Sequence, residues 1–416
     1  MDKDNIVELP RQSGMFEDPL TDLLRKGARD LLHHAIEQEL QSMLATYQGE
    51  VDDTGNPRIV RNGYHPERSV QTGIGPVTVK VPKVRTRSGE PVTFHSALVP
   101  PYVRKAKSLE AALPWLYLKG VSTGEMEEAL KVLVGPDAEG LSASTVSRLK
   151  KEWKGQYEAW RHSPLDKDEW VYNWADGIYS GLRAEDTKLC TLVVIGVNAQ
   201  GHKQFLAIED GVRESTQSWR EILKGLDKRG MNVPKLAIGD GAMGFWAALD
   251  EVFSQTRHQR CWVHKTNNIV NYLPKSVADK ARAAIKDIWM APTKADADVA
   301  FDLFVEQFQA KYPRAVECLL KDQHDLFAFY DFPQMHWQSI RTSNPIESTF
   351  ATIRHRTKRS KGCLNRDGML NMMFKLAQCA QGRWRKMRGF ADLQKVITNI
   401  KFKDGIEQTQ PDQKAA

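Results

Sequence analysis

Three acidic residues occupy settings in which a carboxylate can do chemistry. Asp176 lies in Trp174-Ala175-Asp176-Gly177, in the middle of a run that reads as a buried strand. A carboxylate there costs several kcal/mol unless a cation accompanies it. Asp240 stands just past a short apolar strand, between Gly239 and Gly241. The glycines remove side-chain bulk, so a metal ion or a phosphate can come close to the backbone. Glu347 ends Arg341-Thr-Ser-Asn-Pro-Ile-Glu347 and is followed at helical spacing by Ala351, Arg354 and Lys358, a carboxylate leading into a cationic stripe. Each also has a plain structural reading: Asp176 paired with a buried Arg, Asp240 as a turn residue or helix cap, and Glu347 at N3 behind Asn344 as N-cap and Pro345 at N1. Taken in order, two Asp on adjacent strands and one acid on a facing helix make a cradle for cations. Phosphodiester cleavage needs an activated nucleophile and a stabilised leaving oxygen. Two Mg²⁺ ions about 3.5–4 Å apart supply both and prefer carboxylate oxygens.

The elements that must hold these acids change class along the chain. Apolar residues at three- and four-residue spacing, from Leu20, Leu23, Leu24, Leu31 and Leu32 to Ile36, Leu40, Met43 and Leu44, predict a helix in segment 1–55. Segment 56–107 switches to period two, with Val77, Val79 and Val81 opposite Thr78, Lys80 and Pro82, a basic hairpin turning at Gly73 and Gly75. Segment 108–165 reads as three helices: one from Ser108, one opened by the capping box Ser122–Glu125 and running to Val134, and one from Leu141 to Lys151. That order resembles a helix-turn-helix DNA reader, with Thr145 near base edges and Arg148, Lys150 and Lys151 on phosphate. A plain helical bundle with a polar face is the alternative.

Segment 166–264 carries strands over Trp170–Leu182, Leu189–Asn198 and Lys203–Glu209, then a helix capped by Ser215, a strand at Lys235–Ile238, a helix, and a strand near His258–Val263. An antiparallel start followed by strand–helix alternation is the order of a ribonuclease H-like core. Segment 265–340 is helical, with Ile285, Ile288, Phe301, Phe304 and Phe308 as core and Trp289 and Trp337 read as core rather than contacts. Segment 341–402 carries the Glu347 helix and basic helices, and 403–416 reads as a disordered tail. The expected class is multidomain α+β: a ribonuclease H-like mixed sheet interrupted by an all-helical insertion and preceded by a helical and β-hairpin DNA-binding region.

Composition sets the outer limits. The chain has 416 residues, 41% hydrophobic and 27% charged, enough for two or three domains at about 150 residues each. The longest apolar run, Cys190–Val197, is strand-sized, so no membrane span is expected. Five scattered cysteines and an acidic N-terminus without an apolar stretch point to a reducing, cytoplasmic setting. The net charge of +7 is moderate, but its distribution is not. Ten Lys/Arg lie between Arg58 and Lys107 against Glu67 and Glu90, and eleven between Arg354 and Arg388 against Asp367 alone. Two such blocks suit a polyanion. The residues expected on DNA are Arg61, Lys80, Lys83, Arg85 and Arg87 in the first block and Arg354 and Lys358 in the second.

At these positions the sequence resembles the prokaryotic Mutator-type DDE transposases of insertion sequences. The matching pieces, in family order, are Arg61-Asn-Gly-Tyr64, the run Gly75–Arg85, Ala175-Asp-Gly177, Gly239-Asp-Gly241, Cys261-Trp-Val-His264 and Arg341–Glu347. Sixty-four residues separate the aspartates and 107 more precede the glutamate, a gap that the family fills with a helical insertion. The resemblance implies that Asp176, Asp240 and Glu347 bind two divalent metals, Mg²⁺ with Mn²⁺ as substitute. They would cut double-stranded DNA at the element's terminal inverted repeats and join the freed 3′-hydroxyl to target DNA. It also implies a homodimer or larger assembly in the bacterial cytoplasm, associated with the nucleoid. Cys261 and His264 match a Cys/Asp-x-x-His motif. Zinc is not expected there, since a closed site needs four ligands and Cys190, Cys318, Cys363 and Cys379 are scattered. The favoured role is a hydrogen-bonded brace between the last strand and the insertion. The competing readings are a non-catalytic DNA-binding regulator and a nuclease or resolvase that cuts without joining.

Overall fold

The computed structural model describes residues 19–87, 91–106, 116, 118, 121, 125–134, 143–181, 188–347, 350–351 and 366–408, apart from the side chains of 143–147 and 149. The chain divides into two compact units, residues 1–149 and 150–416.

In the first unit, helix α1 (Pro19–Thr46) is followed by strands β1 (Ile59–Tyr64), β2 (Arg68–Thr72), β3 (Gly75–Val79) and β4 (Pro82–Thr86). β2 and β3 form the expected hairpin, with Thr72 opposite Gly75, and β1 pairs with β4 around it. Val70, Val79, Phe94 and Val99 close a core with Ile36 and Leu40. The apolar stripe of α1 is buried only in its second half: Leu20, Leu23, Leu24 and Leu31 are exposed. Helix α2 (Met126–Val134) ends where the sequence places it. The helix expected from Ser108 and the residues 122–124 of its capping box lie outside the described residues. Helix α3 (Ala143–Arg161) runs across the boundary between the units and extends a further ten residues beyond the expected Lys151.

The second unit is a mixed α/β core whose five-stranded sheet is flanked by helices and interrupted by an all-helical insertion. Strands β5 (Trp170–Gly181), β6 (Lys188–Asn198) and β7 (Lys203–Gly211) meander antiparallel. Helix α4 (Thr216–Lys228) follows, started by Ser215, whose hydroxyl accepts from the Ser218 amide. Then come β8 (Leu236–Gly239), α5 (Met243–Val252) and β9 (Arg257–Arg260), and β8 and β9 run parallel to β5. The sheet order is β7-β6-β5-β8-β9. β5 and β6 are nearly continuous apolar runs because both faces are covered.

The last strand is shorter than the sequence suggests. Its ladder with β8 ends at Gly239 opposite Arg260, and Cys261 already caps helix α6 (Trp262–Val270). The insertion continues with α7 (Lys275–Met290), α8 (Lys294–Gln309) and α9 (Pro313–Leu320). Ile285, Ile288, Phe301, Phe304 and Phe308 are buried as expected, and so is Trp337, whose indole N–H donates to the Phe332 carbonyl. Residues 403–407 of the segment expected to be disordered are ordered, forming with Phe402 a small hairpin in which Phe402 faces Glu407. No helix among the described residues is long and apolar enough to cross a membrane.

Candidate active site and metal-binding cluster

Register delivers the first two acids. Ala175 of β5 lies opposite Gly239 of β8 in a parallel ladder, so Asp176 and Asp240 follow on adjacent strands. Tyr172, Trp174 and Asp176 alternate onto one face of β5. The first two anchor the chain returning from the insertion: the Tyr172 hydroxyl is 2.8 Å from His336 Nδ1, and the Trp174 indole donates to the Ser339 carbonyl at 3.1 Å. The third therefore faces the segment that follows, which carries Glu347.

That segment is tied to the start of α6. The Trp262 amide donates to the Arg341 carbonyl, and the Ser343 amide donates to Cys261 Sγ at 3.2 Å. Residues 344–347 are already helical, and the Ser343 carbonyl accepts from the Ile346 and Glu347 amides. Ser343, not Asn344, thus holds the N-cap place. Glu347 does not fold back to close a capping box. Its Oε1 lies 3.4 Å from Ser343 Oγ and 3.8 Å from His264 Nε2.

Among the described residues the acid cluster is short of cations. Asp176 is 6% exposed, and among the described residues neither it nor Asp240 is in an ion pair, with arginine or otherwise. Burial pushes the Asp176 carboxyl up to about 6; the His264 charge pulls it back, and Asp240 and Glu347 push it up again. Asp240 keeps part of its turn role, with Oδ1 accepting from the Ala242 amide at 2.8 Å. His264 is raised to about 9, first through its hydrogen bond with Cys261 and against burial. Burial would raise the Cys261 thiol, but the hydrogen bond and charge of His264 outweigh it and bring it down.

Sequence reasoning missed a fourth acid. Glu214 sits between β7 and the cap of α4, and a Cβ on Gly177 would lie 2.7 Å from its carboxyl carbon. Its Oε2 is buried without a hydrogen-bond partner, and burial, with Asp240 and Asp176 nearby, raises it to about 7. The sequence holds no local signal for it, because Glu214 meets Gly177 only through the fold.

Cys261, His264 and Glu347 bring one sulfur, one nitrogen and one oxygen within 4.8 Å of one another, a set that a metal ion can use. The third donor comes from far along the chain, which is why spacing around the cysteine did not reveal it. Ser343 Oγ stands 3.2–3.4 Å from all three donors. The acids Asp176, Asp240, Glu347 and Glu214 offer only oxygens, a donor set suited to a hard divalent cation.

The expected DNA-binding residues fall into three groups. Arg61 pairs with Glu37 at 2.7 Å and lies over the Tyr64 ring, Lys80 pairs with Glu67 and Arg87 with Asp52. Lys83 and Arg85 make no ion pair among the described residues. Arg148, Lys150 and Lys151 are exposed on α3; the Thr145 side chain, and Arg354 and Lys358 entirely, lie outside the described residues.

A model of the transposase Mutator family matches residues 3–387. The chain belongs to that family. It is 49% identical over 282 residues to the transposase for insertion sequence element IST2 of Acidithiobacillus ferrooxidans, covering 68% of this chain and 95% of that protein. It is 47% identical over 277 residues to the transposase for element IS6120 of Mycolicibacterium smegmatis, covering 67% and 85%. A more distant relative, the transposase for element IS1201 of Lactobacillus helveticus, is 29% identical over 343 residues, or 82% of this chain and 90% of that protein. Family membership extends over both units and over every acid of the cluster.

Proposed function

We propose that the chain is a DDE-type DNA transposase. It binds the ends of its own insertion sequence, cleaves a strand to expose a 3′-hydroxyl, and joins that hydroxyl to a target phosphodiester. Membership of the Mutator family and the insertion-sequence transposases among its relatives support the substrate class. The observation that carries the reaction is the buried Asp176, without a salt-bridge partner among the described residues, beside Asp240 and raised by Glu347. The antiparallel start and the sheet order support a ribonuclease H-like core. Asp176, Asp240 and Glu347 would hold two divalent cations, Mg²⁺ or Mn²⁺. Bound there, such ions activate the attacking oxygen and stabilise the leaving one.

The chain's own residues do the rest. Burial of Asp176 keeps bulk water from its carboxylate, and Asp240 is fixed by its turn. Cys261 and His264 act as a brace at the junction of β9 and the insertion. Lys83 and Arg85, with Lys150 and Lys151, are assigned to phosphates, and Thr145 and Arg148 to the element's end sequence. In the second basic block, Arg354 and Lys358 take phosphates near the cut. Two ends must be held together for joining, so the working form is a homodimer or larger, acting in the cytoplasm at the nucleoid.

The decisive experiment incubates the protein with a labelled end-bearing duplex and a plasmid target, in Mg²⁺ and separately in Ca²⁺. The expected result is nicking at the end and covalent transfer to plasmid in Mg²⁺ only, both lost in Asp240→Asn while DNA binding persists. Nicking without transfer would make the chain a nuclease. Binding without nicking by the unaltered protein would reduce it to a regulator.

A further inference from the structure

Ser343 is fully buried, and three side chains meet on its hydroxyl, two from the start of α6 and one from its own helix. Cys261 Sγ lies at 3.3 Å, His264 Nδ1 at 3.2 Å and Glu347 Oε1 at 3.4 Å. A serine at a helix start ordinarily spends its hydroxyl on the amides of the first turn. Here the Ile346 and Glu347 amides are taken by Ser343's own carbonyl, so the hydroxyl is left for the three side chains.

Proton counting limits the direction of those bonds. A hydroxyl has one proton to give and two lone pairs to receive. An ionised carboxylate can only accept, so the single proton goes to Glu347. His264 Nδ1–H then fills one lone pair, while Cys261 Sγ lies 3.3 Å from the hydroxyl, hydrogen-bonds with His264 and receives the Ser343 amide at 3.2 Å. The spacing of Cys261 and His264 also gains a reason: one turn apart at the start of α6, they point at the same oxygen.

We infer that Ser343 is a positioning residue that aims the Glu347 carboxylate, and that the Cys-x-x-His turn acts on the acid cluster through its hydroxyl. The inference rests on the reading of Glu347 as a metal-binding acid. Outer partners of a ligating carboxylate fix its orientation, and their loss lowers metal affinity by about 10–100-fold.

Two measurements on the full chain test it. Calorimetric titration with Mn²⁺ compares the unaltered protein with Ser343→Ala and Ser343→Thr. Ser343→Ala should bind Mn²⁺ about 10–100-fold more weakly at an unchanged DNA affinity. Ser343→Thr, which keeps the hydroxyl, should recover most of that loss. Affinity in a folded Ser343→Ala equal to that of the unaltered protein overturns the inference. Asp176→Asn serves as control: if it too binds Mn²⁺ as tightly as the unaltered protein, the acid-cluster reading is at fault. The second measurement needs neither metal nor a variant that folds. Nitrogen-15 spectra of His264, taken above the pH at which its ring loses charge, should show the remaining proton on Nδ1. A bare Nδ1 would take the serine proton away from Glu347 and overturn the inference.

Discussion

The turn at Gly241 separates two charge clusters built on opposite logic. On one side, Asp176, Asp240, Glu214 and Glu347 gather with His264 as the cation that acts on Asp176. On the other, Arg260 and Lys265 are as deeply buried as Asp176 but share one carboxylate: Lys265 Nζ is 2.7 Å and Arg260 Nε 3.1 Å from Asp322. That second cluster forms the floor of a cavity of about 570 Å³, with Arg314 and Lys321 also among its lining residues. Gly241, at φ +85°, leaves room for Arg260, since a Cβ there would come within 1.7 Å of Arg260 Nη1. A cluster whose buried cations have a carboxylate between them is partly compensated within the protein, although Arg260 Nε and Nη1 have no hydrogen-bond partner among the described residues. One with excess negative charge is held at a cost that an arriving cation removes.

The largest expected effect lies on the paired side. Asp322→Asn leaves two buried cations without their shared partner and should destabilise the second unit by about 3–5 kcal/mol, read from chemical denaturation. A loss well below 1 kcal/mol would mean that water, not Asp322, compensates Arg260 and Lys265, and the contrast would weaken.

On the unpaired side the sign reverses. Asp176→Asn removes a carboxyl whose rise from 3.8 to about 6 is worth at most about 3 kcal/mol. The metal-free variant should therefore be more stable than the unaltered protein at neutral pH, by about 1–2 kcal/mol, and should lose the Mn²⁺-induced rise in thermal midpoint. Unchanged or lowered stability would show that Asp176 is compensated after all.

The same shifts set a pH dependence. A group whose folded value is raised binds its proton more tightly in the folded state, so its contribution is present at low pH and lost as pH rises. For Asp176 the loss runs from about 4 to about 6, for Glu214 from about 4.5 to about 7, and for His264 from about 6.5 to about 9. Thermal midpoints of metal-free protein should fall across this range, and saturating Mn²⁺ should flatten the two carboxylate steps. A midpoint that rises between pH 5 and 7 would contradict the directions assigned to both acids.

How much of this was legible in the sequence depended on whether local pattern or distant approach decided the outcome. β5, β6, β7 and β8 were readable because apolar runs bounded by polar turns leave little choice, and Asp176 was readable as an acid inside such a run. The last strand was read too long because Cys261-Trp-Val continues an apolar run, whereas the end of β8 at Gly239 limits the ladder. Asn344-Pro345 has the look of an N-cap and first turn, yet tethering of Ser343 to Cys261 moves the helix start back by one. Half of the α1 stripe is exposed because periodicity reports which face is apolar, not how much of it finds a neighbour. Glu214 and Ser343 carried no signal of their own, since their roles arise only where β7, α6 and the returning chain converge.

The smallest expected effect tests whether Glu214 belongs to the unpaired cluster at all. In Gly177→Ala the new methyl would overlap the Glu214 carboxyl at 2.7 Å, but that group is the far end of a flexible side chain and can swing aside. The Gly177 amide still donates to Asp176 Oδ1, so the variant disturbs Glu214 more than Asp176. Stability at low pH should change by no more than about 1 kcal/mol. Once displaced into solvent, the Glu214 carboxyl should return toward its ordinary value of 4.5, and the fall in midpoint toward pH 7 should shrink while the Asp176 step stays. An unaltered profile would mean that Glu214 titrates independently of the two aspartates. The excess negative charge would then rest on Asp176, Asp240 and Glu347, and Gly177 would be bare only to leave room for the Glu214 side chain.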